Sequence, residues 1–156
     1  MTVETLSLDE ALDRGTIVTD FHATDKESVF RELSQRLHDC GYIESVDAFV
    51  EAIHEREAQG ATGIGEHVAI PHGRSETVKK NGIAIAILHD EIEWESLDDT
   101  GAKVVVLFAV GADDAGSKRH LQLLSMLARK LGKEEVVSDL LKAGSVDDVI
   151  AALTKD

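Results

Sequence analysis

Apolar and polar positions change period several times along this chain, and each change marks an element. Val29, Phe30, Leu33 and Leu37 fall at helical spacing with charged residues between them. Thr24 and Glu27, just upstream, have the form of a capping box, and Gly41 stops the run. Ser45 opens a second helical stripe of Val46, Phe49, Val50 and Ile53. The period is then lost in Gly60-Ala61-Thr62-Gly63-Ile64-Gly65, where three glycines in six residues predict a loop. Residues 68–70 read as a short strand. Residues 82–88 and 103–110 are apolar and rich in Ile or Val, the pattern of strands buried on both faces. The acidic stretch 91–99 between them predicts an edge strand or turn around Ile92 and Trp94.

Ser117 predicts the N-cap of a long helix with Leu121, Leu124, Leu127, Ala128 and Leu131 on one side, ended by Gly132. Shorter helices at 134–142 and from Ser145 close the chain, and a helix or turn at 7–12 with a brief strand at 16–18 opens it. Strands interleaved with helices define an α/β fold, a small sheet covered by helices. At 156 residues without repeat or linker, the expectation is a single domain spanning 1–156.

Charge narrows the function. Sixteen basic against thirty acidic residues leave a net charge of −14. That argues against nucleic acid, whose phosphate backbone needs a basic stripe. It suits solubility, and equally a partner with a basic docking face. Cys40 is the only cysteine, so there is no disulfide framework and no cysteine zinc site. Residues 1–10 lack an apolar signal core, and the runs 83–88 and 104–110 are too short to span a membrane. A cytoplasmic protein without direct membrane insertion is the expectation.

The chemistry concentrates between Gly63 and Gly73. Pro71, the only proline, stands directly before His72, and Gly73 follows. Proline fixes its own φ and holds Ile70 extended, while Gly73 permits a turn and the close approach of a bulky group. The pattern presents an imidazole on a stiff stem at the end of a strand. Arg56 lies three residues after Ile53 and seven after Phe49, on the apolar side of its helix and beside the glycine loop. Two placements fit it equally: reaching over the loop toward His72, or lying along the core edge with its head in water.

His120 falls at the third position of the Ser117-capped helix, where an imidazole beside free amides suits an anion such as phosphate. A packed, hydrogen-bonded histidine fits the same place. Glu66 either orients an imidazole or Arg56, or faces solvent. His67 is expected to be exposed, and His22, His38, His54 and His89 stand in polar surroundings with no role assigned. The spacing of His67, His72 and His120 matches no zinc pattern, and HExxH, GxSxG and GxxxxGK[ST] motifs are absent. No metal and no cofactor are expected.

The block Arg56-Glu57-Ala58-Gln59-Gly60-Ala61-Thr62-Gly63-Ile64-Gly65, continuing to Ala69-Ile70-Pro71-His72-Gly73, closely resembles the type-2 enzyme IIA domains of the bacterial sugar phosphotransferase system. This is the fructose/mannitol family, which includes nitrogen-regulatory members. His120-Leu121-Gln122-Leu123-Leu124 with Leu127-Ala128 resembles its second signature. The resemblance implies a mixed β-sheet flanked by helices. It also implies a phosphotransferase whose His72 takes phosphate from the phosphocarrier HPr, at the tele nitrogen by family precedent. Arg56 and His120 then match the other active-site residues. Glu66 matches a position that is acidic in mannitol-type members and asparagine in many others, and Thr62 and Gly63 belong to the supporting loop.

The implied partners are HPr and the IIB domain of a sugar permease. The stretches Val78-Lys79-Lys80 and Ile92-Glu93-Trp94-Glu95-Ser96-Leu97-Asp98 resemble fructose-type members and favour sugar transport. The alternative is a nitrogen-regulatory-type protein whose phosphorylation state controls its binding partners. The sequence holds no IIB, HPr or membrane segment, so a free-standing unit or a subunit of a split system is expected.

Overall fold

Two long strands, β5 (Gly82–Ile92) and β6 (Ala102–Gly111), form an antiparallel pair at the centre of the sheet. The computed structural model describes residues 11–154; the helix expected at 7–12 falls mostly outside them. β1 (Ile17–Phe21) runs parallel to β5 at one edge. The other side of β6 is shared by two short strands, β3 (Val68–Ala69) and β4 (His72–Ser75), both parallel to it. β2 (Gly63–Gly65) pairs antiparallel with β3, so the six-stranded sheet is mixed.

The continuous apolar character of β5 and β6 has a simple cause: both of their faces are covered. Ile83, Ile85, Ile87, Val104, Val106 and Phe108 share one core with α3 (Asp114–Leu131), α4 (Glu134–Lys142) and α5 (Val146–Thr154). Ala84, Ala86, Leu88, Val105, Leu107 and Ala109 share the other with α1 (Lys26–Asp39) and α2 (Val46–Glu57). On that second face the strands offer mainly small side chains, and Phe30 and Phe49 supply the bulk from the helices.

The helix ends show how local chemistry sets the elements. The capping box of α1 uses Asp25 and Ser28, not Thr24 and Glu27: Ser28 N–H donates to Asp25 Oδ1 (2.9 Å) and Asp25 N–H donates to Ser28 Oγ (3.3 Å). Aspartate is the stronger cap, and Ser28 returns the bond from the third helical position. At the other end Gly41 adopts φ +84. Tyr42 N–H donates to Leu37 O (2.9 Å) and Gly41 N–H to His38 O (3.1 Å), a Schellman closure. Ser45 caps α2 as expected.

Helix α3 departs from expectation. Its N-cap is Asp113, whose side chain accepts from Gly116 N–H (2.7 Å), so Ser117 lies inside the first turns. Gly116 is held there by space, since a Cβ would meet Gly111 O at 2.5 Å. The buried stripe is Leu123, Leu127 and Leu131, while Leu121 is 64% exposed.

Candidate active site

His72 opens β4, directly after Pro71, and is the register partner of Phe108 on β6. The Pro71 carbonyl accepts from Phe108 N–H (3.0 Å), which ties the stem to the sheet just before the histidine. Alternation along β4 sends His72 to the α3 side of the sheet and Gly73 to the α2 side. The Gly73 backbone is pressed on Phe49, where a Cβ would lie 2.5 Å from a ring carbon. This glycine therefore serves packing within the core, rather than a turn or the approach of a partner.

Three rings meet at the site. His72 lies tilted on Phe108 with centroids 5.1 Å apart. His120 stands edge-on to both, 4.8 Å from His72 and 5.2 Å from Phe108. The Nδ1 atoms of His72 and His120 are both buried, which leaves Nε2 as the outward nitrogen of each ring. Burial, then the neighbouring His120 and Arg56, push the His72 pKa down to about 4, against a weaker pull from the Ile70 backbone. Burial also lowers that of His120. Both rings are neutral at pH 7, with lone pairs available.

The structure brings His72 and His120 into ring contact, with Arg56 near enough for its charge to act on His72. Arg56 sits in the last turn of α2, and its Nη1 donates to Gly60 O (3.1 Å), which sets the guanidinium at the start of the glycine loop. His120 arrives by a different route from the one expected. The helix begins at Asp114, so His120 lies in its second turn, away from the free amides. Its partner is the His72 ring.

Thr62, Gly63 and Glu66 act through the framework. Thr62 is 3% exposed. Its hydroxyl donates to Glu57 Oε2 (2.7 Å) and accepts from Trp94 Nε1 (2.9 Å), while its carbonyl accepts from Ile70 N–H (2.9 Å). Lys26 completes this network through an ion pair with Glu57. Gly63 lies against the 95–96 backbone, where a Cβ would meet Glu95 O at 2.6 Å. Glu66 is exposed at φ 56, and its N–H donates to Asp98 Oδ2 (3.0 Å). Its carboxylate has no hydrogen-bond or ion-pair partner among the described residues, so it orients neither His72 nor Arg56. His67 is half-buried and pairs with Glu91.

Phe108 is the site residue that sequence reasoning misses. It sits in a run of buried β6 residues, and nothing in that run distinguishes it. Only the β4–β6 register places it under His72.

Residues 10–156 match the family model described as "Phosphoenolpyruvate-dependent sugar phosphotransferase system, EIIA 2". The chain belongs to this family, the type-2 enzyme IIA domains. It is 36% identical over 145 residues to the fructose-specific EIIABC component of Bacillus subtilis, covering 93% of this chain but only 22% of that longer protein. It is also 36% identical over 133 residues to the fructose-specific EIIA component of Haloferax volcanii, covering 83% of this chain and 85% of that one.

Among solved structures, the nitrogen regulatory protein IIA-Ntr of Neisseria meningitidis superposes with a TM-score of 0.83 at 29% identity, over 94% of this chain and 99% of that one. Enzyme IIAMTL of Escherichia coli, solved in complex with phosphorylated enzyme IIBMTL, superposes with a TM-score of 0.78 at 26% identity, over 93% and 98%. No helix among the described residues is long and apolar enough to cross a membrane.

Proposed function

We propose that this chain takes a phosphoryl group from a phosphorylated HPr-type carrier onto Nε2 of His72 and passes it to the IIB component of a fructose-type sugar permease, in the cytoplasm. One observation carries this reading: the neutral His72 ring, with its inner nitrogen buried and its outer one free, lies beside His120 and within the field of Arg56. A carrier phosphohistidine presents its phosphorus to the His72 lone pair. The bond from phosphorus to the carrier nitrogen breaks as the bond to Nε2 forms, and the carrier nitrogen keeps the electron pair. Arg56 and His120 stabilise the charge on the phosphoryl oxygens. A groove of about 440 Å³ beside Ile70, lined by Ile64, Leu124, Leu127 and Leu131, offers the partner an apolar seat.

The IIB partner is supported by the mannitol complex, in which a similar chain sits with its phosphorylated IIB. The fructose-specific relatives support the sugar class. A second reading, a nitrogen-regulatory-type protein controlled by phosphorylation of His72, is favoured by the TM-score of 0.83 with a protein of that kind.

The test is phosphorylation with phosphoenolpyruvate, enzyme I and HPr, read by intact mass on wild type and His72→Ala. The expected result is one acid-labile phosphate on the wild type and none on the variant. No phosphate on folded wild type, or phosphate on both proteins, overturns the assignment. Addition of a fructose-type IIB then separates the two readings: rapid loss of phosphate to IIB is the transport outcome, and a phosphorylated chain that persists is the regulatory one.

A further inference from the structure

Away from His72, three side chains with ligand chemistry meet at the opposite edge of the sheet. The pairing of β1 with β5 slips between Val18 and Phe21. At the slip Asp20 adopts φ 52, a left-handed conformation unfavourable for a residue with a side chain. His89 of β5 places Nδ1 2.6 Å from Asp20 Oδ1. His22 stacks on His89, with centroids 4.2 Å apart and planes 22° from parallel, and its Nε2 lies 3.9 Å from Asp20 Oδ2. One donor atom from each of the three residues lies within 4.8 Å of the other two.

An aspartate–histidine ion pair alone accounts for Asp20 and His89 but leaves His22 unexplained. The stacking instead holds the His22 ring beside the same carboxylate, so that two imidazoles and Asp20 face one point in space. Two imidazoles and one carboxylate form a borderline donor set, suited to zinc and its neighbours, whereas calcium and magnesium take oxygen ligands. The side chains of Asp20, His22 and His89 are 70%, 68% and 49% exposed, so they are free to close on an ion at about 2.1 Å, with water filling the remaining positions.

We propose that Asp20, His22 and His89 form a surface site for a single zinc-class divalent ion, held by the carboxylate and one nitrogen of each ring. His22 follows directly after β1 and His89 lies within β5, far apart in sequence, which is why motif spacing does not reveal them. The site is separate from the phosphoryl relay and does not depend on it.

The experiment is a calorimetric titration of the purified chain, free of affinity tag and chelator, with zinc chloride, alongside NMR of the histidine rings. The expected result is saturable binding of one zinc ion per chain, with the His22 and His89 signals moving together and those of His72 and His120 still. His22→Ala, His89→Ala and Asp20→Asn each weaken binding by at least about 10-fold, and the His22→Ala/His89→Ala double variant abolishes it. All three positions are exposed, so circular dichroism of the variants is expected to match the wild type. Absence of saturable binding by wild type overturns the proposal. So does a double variant of unchanged affinity, with zinc moving the His72 and His120 signals instead.

Discussion

At His72 the decisive quantity is the hydration its ring has lost. Its pKa of about 4, against an ordinary value of 6.5, leaves the ring uncharged through the whole neutral range. In an NMR titration the His72 ring is expected to stay unchanged from pH 8 to about 5 and to titrate only below that. A midpoint near 6.5 would remove the argument that burial keeps it neutral. The linked effect on stability has a definite sign. The unfolded ring gains its proton near 6.5 and the folded ring near 4, so stability is full above the first value and declines as pH falls toward the second. Beside it, Gly73→Ala is expected to destabilise the fold by about 1–3 kcal/mol in urea denaturation, because the new methyl overlaps Phe49. In a Phe49→Leu background the same change should cost less, since the two positions share one space.

The elements divide by how their sequence specifies them. β5 and β6 are legible because strands covered on both faces require an unbroken apolar run. α1 and α2 are legible because one apolar stripe each meets one face of the sheet. β2 and β4 are not: Gly-Ile-Gly and His-Gly-Arg-Ser carry little strand preference, and each exists because a neighbouring edge offers hydrogen bonds. The place of His72 directly after its proline stem is legible in the sequence, as is that of Arg56 beside the glycine loop. Phe108 was hidden by resembling every other residue of its strand. The start of α3 misleads because Asp113 and Ser117 are both capping types, and tertiary space around Gly116 decides between them. Asp113→Ala is therefore expected to lower stability by about 1 kcal/mol and Ser117→Ala by much less, measured by thermal or urea unfolding. The reverse order would mean that the helix begins later in solution.

For the whole molecule, a net charge of −14 sets how partners arrive. If a basic carrier docks here, encounter is steered, and raising salt from about 50 to 500 mM should slow phosphorylation severalfold at limiting carrier. A rate indifferent to salt would exclude steering. The sheet also limits how the chain can vary in length. Val68 pairs with Val104 and His72 with Phe108, the same offset on either side of Pro71, so β3 and β4 keep one count along β6. The strand β6 thus works as a ruler against which the histidine is measured out. Adding or deleting one residue between Ala69 and His72 would swap the faces of the histidine and the glycine, turning the imidazole toward Phe49 and the α2 core. Loops elsewhere on the surface can gain residues at small cost, but the segment 68–75 has a fixed length, because the histidine's address is written in residues counted along its neighbour.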